Sequence, residues 1–132
     1  MSITISVNYY HSKKQYPCRI DYHDDRELLK TVDTVVYGLS DPRTSEIYVV
    51  GLTQDFGQRL KQHCRVDTER SSPQDRRKIE IFEGGLYTQV VVFHVTDQKE
   101  AAVRWKTEKE KQYRTTLLSN RRLNSPLHRI WR

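Results

Sequence analysis

The chain predicts an α+β fold: a small mixed or antiparallel sheet flanked by helices, preceded by an N-terminal extension. Three patterns predict it. Apolar and β-branched runs at 34–39 and 47–50 flank a turn. Phe56, Leu60 and Cys64 recur at helical spacing. A long helical stretch, 98–113, follows a strand with the apolar centre VVVFHV.

Taken in order, Ile3, Ile5 and Val7 alternate with polar residues, which predicts a half-buried strand. Residues 11–17 are polar, contain Pro17 and read as loop. The run 24–29 opens with Asp24-Asp25 and closes with Leu28-Leu29, a short helix whose acidic start suits the helix dipole. These elements make up the extension, residues 1–33, which carries no motif; residues 34–132 form the domain proper with its basic C-terminus. Asp41-Pro42-Arg43-Thr44-Ser45 supplies the hairpin turn, and Gly51 ends the second strand. Asp55 stands where it can cap a helix over 56–64. Residues 66–74, with Ser71-Ser72-Pro73, read as loop. A second helix over 75–82 turns Ile79 and Phe82 inward and stops at Gly84-Gly85. Residues 89–95 form a buried strand.

The 132 residues suffice for one domain with its own hydrophobic core. A hydrophobic share of 36% against 30% charged residues is lean but globular. No apolar run approaches a membrane span, and the opening MSITISVNYYHSKK lacks the apolar core of a signal peptide, so a cytoplasmic location without a membrane partner is expected. Cys18 and Cys64 are distant in sequence, and the five histidines are scattered, which argues two free thiols in a reducing compartment over a zinc site. Net charge is +6, and residues 114–132 hold Arg114, Arg121, Arg122, Arg129 and Arg132 with no acid. Because nucleic-acid affinity is dominated by neutralised phosphates, this stretch is a candidate phosphate-contacting surface. Trp105, Tyr113 and Trp131 read as packing aromatics.

The strongest motif is the segment VYGLSDPRTSEIYVVGLTQDFGQRLKQH, residues 36–63. Arg59 and His63 lie four apart, so a helix sends both from one face. A guanidinium fork there pairs two phosphate oxygens. The segment resembles the GIY-YIG endonuclease family, in which two short tyrosine motifs precede a helix carrying an Arg and often a His. The resemblance implies a nuclease scaffold that acts on DNA. It implies that Arg59 clamps the scissile phosphate, that His63 assists the base, and that the Tyr37 hydroxyl orients water or phosphate; as a strand residue Tyr37 fits a core aromatic equally well.

The departures bear on chemistry. Val49 stands where the family places the tyrosine proposed as general base, and an isopropyl group accepts no proton. Tyr48 is adjacent and substitutes only if a β-bulge slips the register by one residue. Leu52 stands where many members place a lysine. The family's late-helix glutamate, a Mg²⁺ ligand, falls on Lys106 when counted from Ala102 or back from Tyr113-Arg114. Counted back from Asn120 it falls on Glu108, the candidate metal ligand in that register; otherwise Glu108 and Glu110 both read as helix-surface charges interleaved with Lys109 and Lys111.

The resulting expectation is a nucleic-acid-binding protein on a nuclease scaffold, catalytically impaired or inactive. Its DNA contacts would come from Arg59, His63, Lys106, Asn120, Arg121 and Arg122. The first alternative is an active Mg²⁺-dependent DNA endonuclease using Tyr37, Tyr48, Arg59 and His63, and the second is a protein-binding inhibitor or adaptor.

Overall fold

The computed structural model describes residues 3–5, 13–20 and 23–113. Five strands form a mixed sheet in the order β1(Ile3–Ile5), β3(Cys18–Ile20), β7(Thr88–Thr96), β4(Thr34–Asp41), β5(Glu46–Thr53). Neighbours pair antiparallel except β3 and β7, which are parallel. A separate two-stranded ribbon joins β2(Lys13–Gln15) to β6(Arg65–Asp67). Among the described residues, three helices, α1(Phe56–Cys64), α2(Pro73–Glu83) and α3(Lys99–Gln112), and a 3-10 helix, His23–Lys30, join the sheet in an α+β architecture. No described helix is long and apolar enough to cross a membrane.

The hairpin of β4 and β5 is the centre of the design. All eight residues of β4 are buried, because it lies between β5 and β7. A central strand must be apolar or internally satisfied on both faces. Two bulges bend it. Leu39 pairs with Val49 and Ser40 with Ile47, leaving Tyr48 as an extra residue on β5. Val36 pairs with His94 and Tyr37 with Val92, leaving Phe93 extra on β7. Such insertions twist the strand and re-aim its side chains.

Asp55 caps α1 by accepting from the Gln58 amide at 3.1 Å. Phe56, Leu60 and Cys64 are fully buried from that helix, against Val35, Tyr37 and Leu39 of the central strand. The extension is part of the same body: β1 and β3 continue the sheet, and α1 packs on the 3-10 helix. A Cβ at Gly57 would lie 2.5 Å from the Leu29 carbonyl, so only glycine allows that approach.

Several elements differ from the sequence expectation. Lys13–Gln15 and Arg65–Asp67, which fall on or at the edge of the stretches 11–17 and 66–74 that read as loop, are strands, because three-residue polar strands carry no periodicity to read. Helix α2 begins two residues earlier, at Pro73, behind a capping box of Ser72 and Asp75. Its buried residues are Pro73, Lys78 and Ile81, whereas Phe82 is 41% exposed and rests against Tyr16 and Tyr87. Cys18 and Cys64 meet in the core, hydrogen-bonded to each other, and both are free thiols.

The turn is anchored by a buried charge. The Asp41 carboxylate is fully buried and accepts hydrogen bonds from Arg43 Nε at 3.0 Å, Arg43 Nη2 at 2.7 Å and Arg77 Nε at 3.0 Å. Burial alone would raise its pKa; the two guanidiniums more than offset this and hold it at about 2, below the ordinary 3.8. A carboxyl depressed in the folded state contributes stability above its unfolded pKa and loses it as pH falls through the folded value. Removing one partner of a buried pair costs about 3–5 kcal/mol. Asp41→Asn should therefore lower unfolding free energy in urea by that amount at pH 7. The gap between variant and parent should narrow as pH falls from about 4 to about 2; a gap unchanged across that window would contradict the assignment.

Candidate functional site

β5 is an edge strand, and a cleft of about 400 Å³ runs along its far half. The hairpin contributes Tyr37, Val49, Val50, Gly51 and Leu52; α1 contributes Arg59 and His63; α3 contributes Val103, Lys106, Thr107 and Glu110. The cleft thus lies where two helices flank one strand edge.

Tyr37 reaches it because it pairs with Gly51 across the hairpin. A Cβ at Gly51 would lie 2.4 Å from the Tyr37 ring and hydroxyl, so the glycine provides the space that the ring fills. The ring also packs at 5.7 Å from Phe56, and its hydroxyl lies 2.6 Å from His63 Nε2. Burial raises the Tyr37 pKa to about 12, with Arg59 opposing the rise. A phenol so held stays protonated at neutral pH.

His63 is squeezed the other way. Burial, then the charges of Lys78 and Arg59, push its pKa down to about 3, so the imidazole is neutral. Its other nitrogen, Nδ1, lies 3.5 Å from Lys78 Nζ. Neither group is poised near neutral pH as a general base prefers to be.

On α3, Lys106 and Glu110 form an i,i+4 ion pair at 3.4 Å inside the cleft. Glu108 is exposed and does not line it. At 100° per residue it points about 200° round the helix from Lys106. The carboxylate that enters the cleft is Glu110. Sequence reading passed it over as a surface charge, although its spacing of four from Lys106 was the available signal. Mg²⁺ requires several oxygen ligands. One carboxylate, already paired to an ammonium and facing Arg59 across the same cleft, does not fit that demand. Among the described residues no group of three His, Cys, Asp or Glu gathers to hold a metal.

Tyr48 is also elsewhere. The bulge that would let it substitute for Val49 is present, yet its fully buried hydroxyl bonds Thr88 Oγ1 at 2.6 Å, and Arg77 lies over its ring at 5.2 Å. Burial drives its pKa strongly upward. The extra residue re-aims Tyr48 into the core, so Tyr37 is the tyrosine whose hydroxyl borders the cleft. Trp105 stacks on His94 and Tyr113 on Phe93, outside the cleft lining. Asn120, Arg121, Arg122, Trp131 and the other arginines of 114–132 lie outside the described residues.

Gly51→Ala should push the Tyr37 ring out of place at a cost of about 1–3 kcal/mol, the usual penalty for overpacking. Urea unfolding would show the loss. In the same variant, NMR titration should find the His63 pKa moving up from about 3 towards its ordinary 6.5 as the packing opens. A variant that is as stable as its parent, with His63 unmoved, would contradict the close fit of ring and glycine.

The family model of the GIY-YIG catalytic domain matches residues 34–124, more than half of the chain. Searches of curated proteins and of solved structures give no match. The matched span contains both strands of the hairpin, α1, α2, β7 and α3, and so every residue that lines the cleft. The chain therefore belongs to the GIY-YIG family, whose function in general is nuclease-type and related to nucleic acid.

Proposed function

We propose that this protein binds DNA on a GIY-YIG scaffold and holds a backbone phosphate without cutting it. The observation that carries the reading is that Arg59 and Lys106, two cations from different helices, line one cleft with Tyr37. A guanidinium and an ammonium lining one cleft suit a phosphodiester, which carries one negative charge and two free oxygens. The cutting parts are weak by comparison. Val49 offers no acid–base group, Tyr37 is held protonated, and His63 is too poor a base to take a proton from water. Absence of a working general base typically costs about 10²–10⁴ in rate.

The general lean towards positive charge supports nucleic acid over an uncharged partner, with 23 basic against 17 acidic residues. Glu110 is the specific observation that favours the alternative, an active endonuclease, since it brings one carboxylate into the cleft. In that reading Glu110, not Glu108, is the residue to substitute.

The test incubates the protein with labelled duplex, single-stranded and branched DNA in Mg²⁺ or Mn²⁺, scoring retention and cleavage together. Retention without cleavage is expected, with Arg59→Ala weakening it about tenfold or more, as for a lost hydrogen bond to a charged group. Cleavage that vanishes in both Arg59→Ala and Glu110→Gln would establish the enzyme instead. Neither retention nor cleavage would point to a protein-binding module.

A further inference from the structure

Lys78 is a buried lysine on α2, 5% exposed, and it borders the site from behind rather than lining the cleft. Its Nζ lies 3.5 Å from His63 Nδ1, at the long limit of a hydrogen bond, while Nε2 of the same ring is taken by the Tyr37 hydroxyl at 2.6 Å. Both nitrogens of one neutral imidazole are therefore engaged. Around Lys78 stand His63 and Cys64 from α1, Cys18 from β3, and Asp75 from its own helix. Burial lowers its pKa, and Cys18, Asp75 and Cys64 act against that lowering.

The donor inventory gives this chain of groups a direction. An ammonium has three donors and no acceptor, and a neutral imidazole has one of each. With Lys78 donating to Nδ1, the ring hydrogen belongs on Nε2, which then donates to the Tyr37 oxygen. Arg59, whose charge also acts on that hydroxyl, can only donate. With His63 giving its hydrogen to the oxygen, the phenolic hydrogen is left for the cleft.

We propose that Lys78 is a positioning residue: by donating to His63 Nδ1 it fixes the Nε2–H tautomer and makes the Tyr37 hydroxyl a hydrogen-bond donor to a phosphodiester oxygen in the cleft. This rests on the reading that the cleft holds a backbone phosphate. Tyr37 then acts with Arg59 and Lys106 as a third donor, and its role is recognition of the phosphate rather than activation of water. A lysine that acted only through its charge would strengthen phosphate binding without passing through Tyr37.

Long-range ¹H–¹⁵N correlation spectra of the free protein test the tautomer directly, with no variant needed. His63 should show an unprotonated Nδ1 and a protonated Nε2, a preference lost in Lys78→Met. Affinity is then read by fluorescence anisotropy with a labelled single-stranded oligonucleotide at fixed salt. Tyr37→Phe and Lys78→Met should each weaken binding about tenfold, as for one lost hydrogen bond to a charged group. The double variant should be no weaker than Tyr37→Phe alone, because Lys78 acts through the hydroxyl. An Nδ1–H tautomer in the parent protein, or losses that simply add in the double variant, would overturn the proposal. Arg59→Ala is run alongside. If it leaves affinity unchanged, or the parent does not bind, the phosphate reading of the cleft falls and the proposal falls with it; if only Arg59→Ala weakens binding, the reading stands and Lys78 is excluded.

Discussion

The hydrogen bond between the Tyr37 hydroxyl and His63 Nε2 joins the central strand to the helix that flanks the sheet edge. Much of the surrounding structure is arranged to permit it. Gly51 leaves room for the ring, a bulge at Phe93 turns β4 next to it, and Phe56, Leu60 and Cys64 seat α1 so that His63 reaches the strand. The bond lies beneath a cation, Arg59, that faces solvent-accessible space. One contact thus links the packing of the core to the electrostatics of the cleft.

Burial then decides what those groups can do. The same low-dielectric surroundings push Tyr37 up and His63 down, so the pair sits with one shared arrangement of hydrogens and no group ready to accept a proton near pH 7. Arg59 and Lys106 line the open cleft, where water and counterions can exchange for phosphate. Binding and proton transfer make different demands on the environment, and the proposed reading assigns this cleft to the first. Glu110 tempers the positive field and orders Lys106 on its helix.

Much of the fold was legible because its elements are long and periodic. The hairpin, α1 with its Asp55 cap, and α3 each announce themselves through spacing and punctuation, and Arg59 with His63 followed from a helical interval of four. What escaped depends on tertiary context. The β2 and β6 ribbon is too short and polar to show a period. Tyr48 carries a bulge that the sequence allowed, yet its hydroxyl was claimed by Thr88, forty positions away. Glu110 rather than Glu108 enters the cleft because of the rotation at which α3 lies on β5, which no local pattern fixes. Lys78 was invisible for a related reason: a lysine in a charged helix reads as solvated until Ile81 is seen to bury that face.

The central claim is that Arg59 and Lys106 neutralise DNA phosphate in one cleft. It is tested most directly by the salt dependence of affinity for a duplex, measured in chelator so that no metal contributes. Each lost phosphate contact should lower the slope of log K against log salt by about 0.9 for duplex DNA. Arg59→Ala and Lys106→Ala should each show a reduction of about that size relative to the parent. Slopes identical to the parent in both variants would mean that the phosphate lies elsewhere on the protein, and the account of the cleft would be wrong.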